Sequence, residues 1–201
     1  MAQLLSIEHL ATLAVIAAGS LGLALAARRR PGTWTGAAAR TLAVALLANE
    51  VGWWIFDWSR GTWSLASSLP LQLCQAVTFV AAAALWTRRP LLAEVTYFWA
   101  FAGTLQALLT PDLPDHFPAY PFVQYYLGHG LVIAGALFLV VGLRLEPRRG
   151  AVGRVFALTA AYAGLVGLAD ALTGADYMFL RRPPGSHSLL DLLGPWPWYI
   201  L

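Results

Sequence analysis

Two residues of this chain have side chains that can carry out nucleophilic chemistry together. Cys74 is the only cysteine, and it lies between Gln72 and Gln75 at the head of an apolar run. His129 lies inside a second apolar run. A thiolate is a strong nucleophile once a nearby imidazole has taken its proton. The two residue types therefore predict a Cys74/His129 pair that attacks an acyl ester and holds the acyl group as a thioester.

Each of these residues also has a simpler interpretation. A lone cysteine in an apolar helix is usually a small packing residue. His129 is flanked by Gly128 and Gly130, where a neighbouring helix can come close, and an imidazole there can simply bond a backbone carbonyl. The glutamines beside Cys74 can bridge helices. The catalytic interpretation therefore depends on whether Cys74 and His129 meet.

The composition places the protein in a membrane. Hydrophobic residues make up 59% of the 201 residues and charged residues 11%, whereas a soluble domain carries about a quarter charged residues. All thirteen basic residues are arginine. The absence of lysine excludes a retinal or pyridoxal Schiff base and a phosphate-binding loop of the G-x-x-x-x-G-K-[ST] type. We expect no cofactor.

The net charge and the spacing of the histidines argue against nucleic-acid binding and against a metal site. The net charge of +3 arises from arginines in loops that set membrane topology, so we expect no nucleic-acid partner. No H-E-x-x-H spacing is present, and we expect no metal site. A single cysteine cannot form an intramolecular disulfide. Membrane lipids are the partners we expect.

Apolar runs of span length predict an all-α polytopic membrane helix bundle, with residues 1–201 as one domain. Thirteen residues, 189–201, are too few to cross a bilayer, so we interpret them as an interfacial segment or the start of a seventh span. The six predicted spans are residues 10–27, 37–56, 69–86, 91–109, 122–143 and 152–172.

The arginines predict an orientation. Ten of the thirteen fall around the loops after the first, third and fifth spans: Arg28, Arg29, Arg30, Arg40, Arg88, Arg89, Arg144, Arg148, Arg149 and Arg154. Arginine-rich loops stay in the cytoplasm. The N-terminus and the loops that begin at residues 57, 110 and 173 are therefore expected outside the cell.

Polar residues recur at one predicted depth, in the outer third of the spans. Such residues usually face the bundle interior or a wet cavity, so we predict a pocket open to the outer leaflet. Besides Cys74 and His129, its predicted lining and supporting residues are Asn49, Glu50, Gln72, Gln75, Gln106, Asp112, Asp170 and Asp191. Among these, Asp170, Asp112 and Asp191 are the candidates to orient the imidazole.

Three functions remain open from the residues alone. The first is a lipid acyltransferase or acyl hydrolase that uses Cys74 and His129. The second is a carrier for a small polar solute, because intramembrane Asn, Glu, Gln and His also line transport paths. The third is a non-enzymatic packing or partner protein.

Several sequence motifs point to a known family. They are residues 69–74 (LPLQLC), 97–99 (YFW), 103–112 (GTLQALLTPD), 128–130 (GHG), 177–180 (YMFL) and 192–199 (LLGPWPWY). Over residues 40–201 the chain resembles the YwaF-like family of bacterial membrane proteins, which is related to eukaryotic transmembrane protein 164. That relative is described as a phospholipid acyltransferase using a Cys and a His. The resemblance implies these roles for Cys74 and His129.

Two positions depart from the family pattern. Family members often carry His at the position of Gln72, and Asn at the position of Asp176. Neither departure removes the Cys/His pair. The chain also ends where the family usually continues into a last helix.

Overall fold

The structure is a computed structural model, and it describes residues 6–111, 113–182 and 194–198. Within these residues the regular structure is helical, as the apolar runs predict. Helical structure covers most of each predicted span. The predicted all-α fold class is confirmed.

Among the described residues, seven α-helices make up most of the fold. In chain order they are α1 (Ile7–Arg29), α2 (Thr33–Ser59), α3 (Leu73–Thr87), α4 (Pro90–Trp99), α5 (Leu105–Leu109), α6 (Tyr120–Leu137) and α7 (Ala151–Thr173). A π-helical segment, Ala100–Thr104, joins α4 to α5 into one rod, and a second one, Phe138–Gly142, continues α6. A short 3-10 turn, Tyr177–Phe179, follows α7.

The helix ends follow local signals in the sequence. Ser6 caps α1, because its hydroxyl accepts the amide of His9 at 3.1 Å. Pro90 lies at the start of α4, where its missing N–H has no cost. Arg88 ends α3 in a left-handed conformation with φ of 54°. The helices therefore turn at the positions where the sequence interrupts its apolar runs.

Three helices within the described ranges are long and apolar enough to cross a membrane: α1, Tyr120–Gly142 and α7. The predicted number of six spans remains a prediction. α2 has 27 residues but carries polar residues in its second half, and α3 has only 15. The rod from Pro90 to Leu109 is divided by its π-helical segment.

The third span begins later than predicted. We expected a helix from Leu69, whereas α3 begins at Leu73 and Gln72 is its N-cap. Pro70 has no amide hydrogen. Tyr162 of α7 and Tyr177 after α7 bond other backbone groups of this segment. Cys74 consequently lies in the first turn of α3 rather than in its second.

The core lies between α2, α3, α6 and the rod that contains α4. Its fully buried centre is made of small and branched residues such as Leu46, Val77, Ala81, Val132 and Ala136. In contrast, large apolar side chains on the outside are widely exposed, with Val15 and Phe156 at 72%. A water-soluble protein does not expose such continuous apolar surface, whereas lipid solvates it.

Tryptophans and arginines mark the two ends of the bundle. Trp58 and Trp63 are exposed where α2 ends, and Trp34 and Trp86 are exposed at the opposite end. Exposed tryptophans at two levels are typical of the two membrane interfaces. Among the arginines, Arg40 lies inside α2 rather than in a loop, with its guanidinium 5.9 Å from the centre of the Trp86 ring.

A buried ion cluster joins α4 to α7 at the arginine-rich end. The Glu94 carboxylate has no solvent exposure, and it accepts hydrogen bonds from Arg148 Nε and Arg154 Nη2 at 2.8 Å each. The amide of Arg148 donates to the same carboxylate at 3.0 Å. This cluster holds the loop before α7 against the start of α4.

Candidate functional site

The candidate site is a cavity at the end of the bundle opposite the ion cluster. It is formed where α2 ends, α3 begins and α6 begins. Its volume is about 250 Å³, and it is partly open. The lining residues are Asn49, Glu50, Trp53, Cys74, Gln75, Thr78, Leu113, Pro121, Gln124, Tyr125, Gly128 and His129.

Helix α2 contributes two adjacent polar side chains. Asn49 Nδ2 donates to the carbonyl of Gln124 at 3.3 Å, which ties α2 to α6. This approach requires glycine at position 128, since a Cβ there would lie 2.6 Å from Asn49 Nδ2. Glu50 is 4% exposed, and its carboxylate accepts a hydrogen bond from Gln75 Nε2 at 3.0 Å.

Helix α3 brings Cys74 to the cavity in its first turn. The first amide that reaches a carbonyl four residues back is that of Ala76, which donates to Gln72 at 2.9 Å. The amides of Leu73 and Cys74 precede this ladder and have no helical acceptor. The N-terminal end of a helix dipole stabilises a negative charge, including that of a thiolate.

Helix α6 brings His129 to the same cavity with a defined tautomer. Its Nδ1 lies 2.7 Å from the carbonyl oxygen of Tyr125, one helical turn earlier. A carbonyl only accepts, so Nδ1 carries the hydrogen in this bond, and the neutral ring has its lone pair on Nε2. The rings of Tyr125 and His129 also pack together, with centroids 4.2 Å apart. Nε2 is therefore the ring atom available as a base.

Cys74 and His129 line one cavity without a hydrogen bond between them in the described structure. Catalytic hydrogen bonds are often loose in the absence of substrate. The hydroxyl of Thr104, a residue that does not line the cavity, also interacts with the Cys74 side chain. The hydroxyl oxygen of Thr104 has no hydrogen bond of good geometry among the described residues, so its contact with the sulfur is loose.

Five of the predicted site residues line the cavity together: Asn49, Glu50, Cys74, Gln75 and His129. Three others lie elsewhere. Gln106 bonds the hydroxyl of Thr110 at 2.6 Å within its own rod. Gln72 and Asp170 instead belong to a structure beside the cavity. Gln106 and Asp170 project from other faces of their helices, and Gln72 lies before the first turn of α3, which an estimate of depth alone does not reveal.

Asp170 does not orient the imidazole. It is fully buried at the end of α7, and its Oδ1 accepts the amide of Tyr177 at 3.0 Å. Asp112 and Asp191, the other two candidates, lie outside the described residues. The group that the structure shows orienting His129 is the backbone carbonyl of Tyr125.

The segment before α3 is held by one tyrosine from the middle of α7 and one from the 3-10 turn that follows it. The hydroxyl of Tyr177 accepts the amide of Leu69 and donates to the carbonyl of Leu65, both at 2.9 Å. Tyr162 donates to the carbonyl of Leu71 at 2.9 Å. We call Tyr162 and Tyr177 the tyrosine anchor. Because it holds the chain just before Gln72, it sets where α3 begins.

Gln72 adds a further hydrogen bond between the segment before α3 and the chain after α7. Its Oε1 accepts the amide of Met178 at 2.8 Å. Met178 and Phe179 both have positive φ values, 58° and 55°, which non-glycine residues rarely adopt. Such strain persists only where surrounding contacts hold it. At the second departure from the family pattern, Asp176 accepts the amide of Arg181 at 2.9 Å and pairs with Arg182 at 3.4 Å.

Sequence reasoning missed several residues of the site. Gln124 and Tyr125 lie close to the predicted start of the fifth span, where a polar residue is unremarkable. Thr78 and Thr104 give little signal, because helical threonines usually bond their own backbone. In the described ranges, no group of three or more His, Cys, Asp or Glu side chains could hold a metal ion.

Comparison with known proteins agrees with the motifs and with the apolar exterior. An uncharacterized protein of Treponema pallidum (strain Nichols) is 33% identical over 129 residues, which are 60% of this chain. The matched part spans about half the length of that relative. No solved structure matches the chain. The sequence model of the TMEM164 family matches residues 4–201, so the protein belongs to the TMEM164 family and is a membrane protein.

Proposed function

We propose that this protein is a membrane-embedded lipid acyltransferase or acyl hydrolase, with Cys74 as nucleophile and His129 as general base. The observation that carries the proposal is the shared cavity. The only cysteine of the chain and a histidine whose Nε2 lone pair is available both line it. The resemblance to eukaryotic transmembrane protein 164 implies the same two roles.

The first half of the reaction forms a thioester. His129 Nε2 takes the proton of the Cys74 thiol, and the sulfur attacks the carbonyl carbon of a lipid ester. The C–O bond of the ester breaks, and the imidazolium returns its proton to the leaving lysolipid oxygen. Charge and protons balance without a metal or a redox partner.

The second half releases the acyl group. His129 takes a proton from an incoming hydroxyl, which attacks the thioester carbon. The C–S bond breaks, and the proton returns to the Cys74 sulfur. With a lysolipid hydroxyl the result is acyl transfer, and with water it is hydrolysis.

The position of Cys74 supports a nucleophilic role. An apolar environment alone favours the neutral, inert thiol. The first turn of α3 opposes this effect, because its unpaired amides and helix dipole favour negative charge near the sulfur. In this proposal the same amides would also stabilise the oxyanion that develops during attack.

The size of the cavity fits a reacting group rather than a whole lipid. A volume of about 250 Å³ is below the roughly 300–1,000 Å³ that is typical of pockets enclosing a drug-sized ligand. This accommodates an ester group and the first carbons of a chain. The rest of the lipid would lie along the exposed apolar helix faces, which lipid already covers. Asn49, Glu50 and Gln75 supply polar groups for the glycerol or headgroup side.

The carrier alternative has less support. A carrier needs a path that continues toward the other side of the membrane. Next to the cavity, the core contains fully buried apolar residues such as Leu46, Val77 and Ala81. The polar side chains that line the cavity therefore lie at one end of the bundle, which fits a reaction at one membrane face.

The experiment is lipid acyl transfer by the purified protein in vesicles that contain a phospholipid with a fluorescent acyl chain and an acceptor lysolipid. We expect Cys74→Ser and His129→Ala to reduce transfer by about 10²-fold or more. The wild type should form a labelled acyl-protein that hydroxylamine cleaves, and Cys74→Ala should not form it.

His116→Ala is the matched control for His129→Ala. His116 lies in the loop before α6, where its side chain is 59% exposed and lies 3.4 Å from Glu8. This variant should keep the transfer rate of the wild type. Unchanged transfer by a folded Cys74→Ala variant would disprove the thioester mechanism.

A further inference from the structure

We propose that Thr104 is a third catalytic residue of this site and that its hydroxyl donates a hydrogen bond to the Cys74 sulfur when the sulfur carries negative charge. The proposal rests on the acyl-transfer function above and assigns a role that neither the motifs nor the family comparison supplies.

The first observation is an unused buried donor. Thr104 is 1% exposed, and its hydroxyl oxygen has no hydrogen bond of good geometry among the described residues. Its interacting neighbour is the Cys74 side chain. A buried hydroxyl without a partner is costly and requires an explanation, and a hydrogen bond formed during function is one such explanation.

The second observation is the contrast with other helical threonines. Thr12, Thr78, Thr96 and Thr159 each donate to the carbonyl four residues earlier, at 2.8 to 3.1 Å. This is the usual way in which a threonine hydroxyl is satisfied inside an apolar helix. The hydroxyl of Thr104 is instead left free to face α3.

The π-helical segment explains the difference. Thr104 is its last residue, and the carbonyl of Ala100 accepts the amide of Leu105, five residues later. The widened turn shifts the Thr104 hydroxyl relative to the carbonyl that it would bond in an α-helix. Single π-helical turns within α-helices frequently occur at functional sites.

Packing shows that this segment meets the first turn of α3. A Cβ at Gly103 would lie 3.2 Å from Leu73 Cδ2, so glycine permits the close approach. Gly103 lets the segment approach Leu73, and Thr104 and Cys74 are the next residues of the two helices. The Thr104 hydroxyl and the Cys74 side chain interact beside this contact.

The chemical role follows from the charge on sulfur. The sulfur is negative before it attacks the ester and again when the thioester C–S bond breaks. A hydroxyl donor strengthens its hydrogen bond to sulfur in both cases and keeps its own proton throughout. The other titratable side chains around Cys74 are Glu50 of α2 and Tyr125 and His129 of α6, which also line the cavity.

The test uses the single cysteine. Because Cys74 is the only thiol in the chain, alkylation by iodoacetamide reports this sulfur alone. The rate is measured over a pH series on wild type, Thr104→Val and Thr104→Ser in detergent. We expect Thr104→Val to slow alkylation about tenfold at neutral pH and to move its midpoint about one unit upward. Thr104→Ser should restore the wild-type profile.

Thr96→Val is the matched control. Thr96 is equally buried in the same rod, but its hydroxyl is satisfied by the carbonyl of Leu92 at 2.8 Å. The pH profile of Cys74 alkylation in Thr96→Val should equal that of the wild type. If Thr104→Val does not fold, Thr104→Ala is compared with Thr104→Ser in the same way.

The outcomes separate this inference from the proposed function. Equal pH profiles of Cys74 alkylation for Thr104→Val or Thr104→Ala and the wild type would overturn the role of Thr104. In that case, lipid transfer by the wild type would still support acyl transfer. A Thr104-dependent thiol profile without lipid transfer by the wild type would support the hydrogen bond to the sulfur and overturn its catalytic role.

Discussion

The phenol hydroxyl of Tyr177 accepts a hydrogen bond from the backbone amide of Leu69 at 2.9 Å, although 108 residues separate the two in sequence. Burial raises the pKa of Tyr177 above its ordinary value, so the phenol keeps its proton at neutral pH and also donates to Leu65. One side chain thereby fixes both ends of a turn that leads into α3. The position of Cys74 depends on this long-range contact.

Removal of this hydroxyl should destabilise the protein. In Tyr177→Phe the amide of Leu69 and the carbonyl of Leu65 lose their partner, at a cost of about 1–3 kcal/mol. Thermal unfolding in detergent measures the change. Tyr97→Phe is the control, because the Tyr97 ring packs against Phe98 and Phe101, and its hydroxyl has no hydrogen bond in the described part of the chain. Equal midpoints for the two variants would show that the tyrosine anchor is dispensable.

A larger side chain at Gly130 should disrupt the packing of α1 on α6. A Cβ there would lie 3.0 Å from Ile16 Cγ1, so Gly130→Leu overpacks the interface by about 1–3 kcal/mol. Gly164→Leu provides the comparison, since a Cβ at Gly164 meets nothing within 4 Å. We expect a lower thermal midpoint for the first variant and an unchanged one for the second. An unchanged midpoint for Gly130→Leu would place this face of α6 toward lipid.

Loss of the buried charge at Glu94 should loosen the contact between α4 and the loop before α7. Glu94→Gln leaves two guanidinium groups without their carboxylate. Breaking a fully buried pair costs about 3–5 kcal/mol. We expect about 1–3 kcal/mol here, because the arginine side chains are 53% and 40% exposed and water partly solvates them. Glu146→Gln in the exposed loop is the control, and chemical denaturation in detergent compares the two. A loss no larger than that of the control would contradict a stabilising role.

The orientation in the membrane remains a prediction of the arginine pattern and can be tested with introduced thiols. In a Cys74→Ala background, Ala66→Cys should react with a membrane-impermeant maleimide in intact cells. Arg89→Cys should react only after permeabilisation. Both positions are exposed in the structure, at opposite ends of the bundle. The reverse pattern would place the Cys74 cavity at the inner leaflet.

The sequence by itself determined the class of the protein and its local structure. Long apolar runs interrupted by arginine, proline and polar clusters specify helices and their approximate ends, because helix formation and membrane insertion depend on neighbouring residues. The single cysteine and the intramembrane histidine were also identifiable as candidates from the sequence. A polar residue inside an apolar run is visible there regardless of how the helix packs.

The convergence of side chains was decided only by the tertiary structure. In a membrane helix both the lipid-facing and the core-facing sides are apolar, so hydrophobic periodicity does not reveal which side faces the bundle. Depth alone grouped Gln106 and Asp170 with the cavity, whereas the rotation of their helices places them outside it. The start of α3 was equally hidden, because it depends on hydroxyl groups of Tyr162 and Tyr177 about a hundred residues away. Likewise, only the widened turn at Ala100–Thr104 and the closeness of Gly103 to Leu73 bring Thr104 to Cys74.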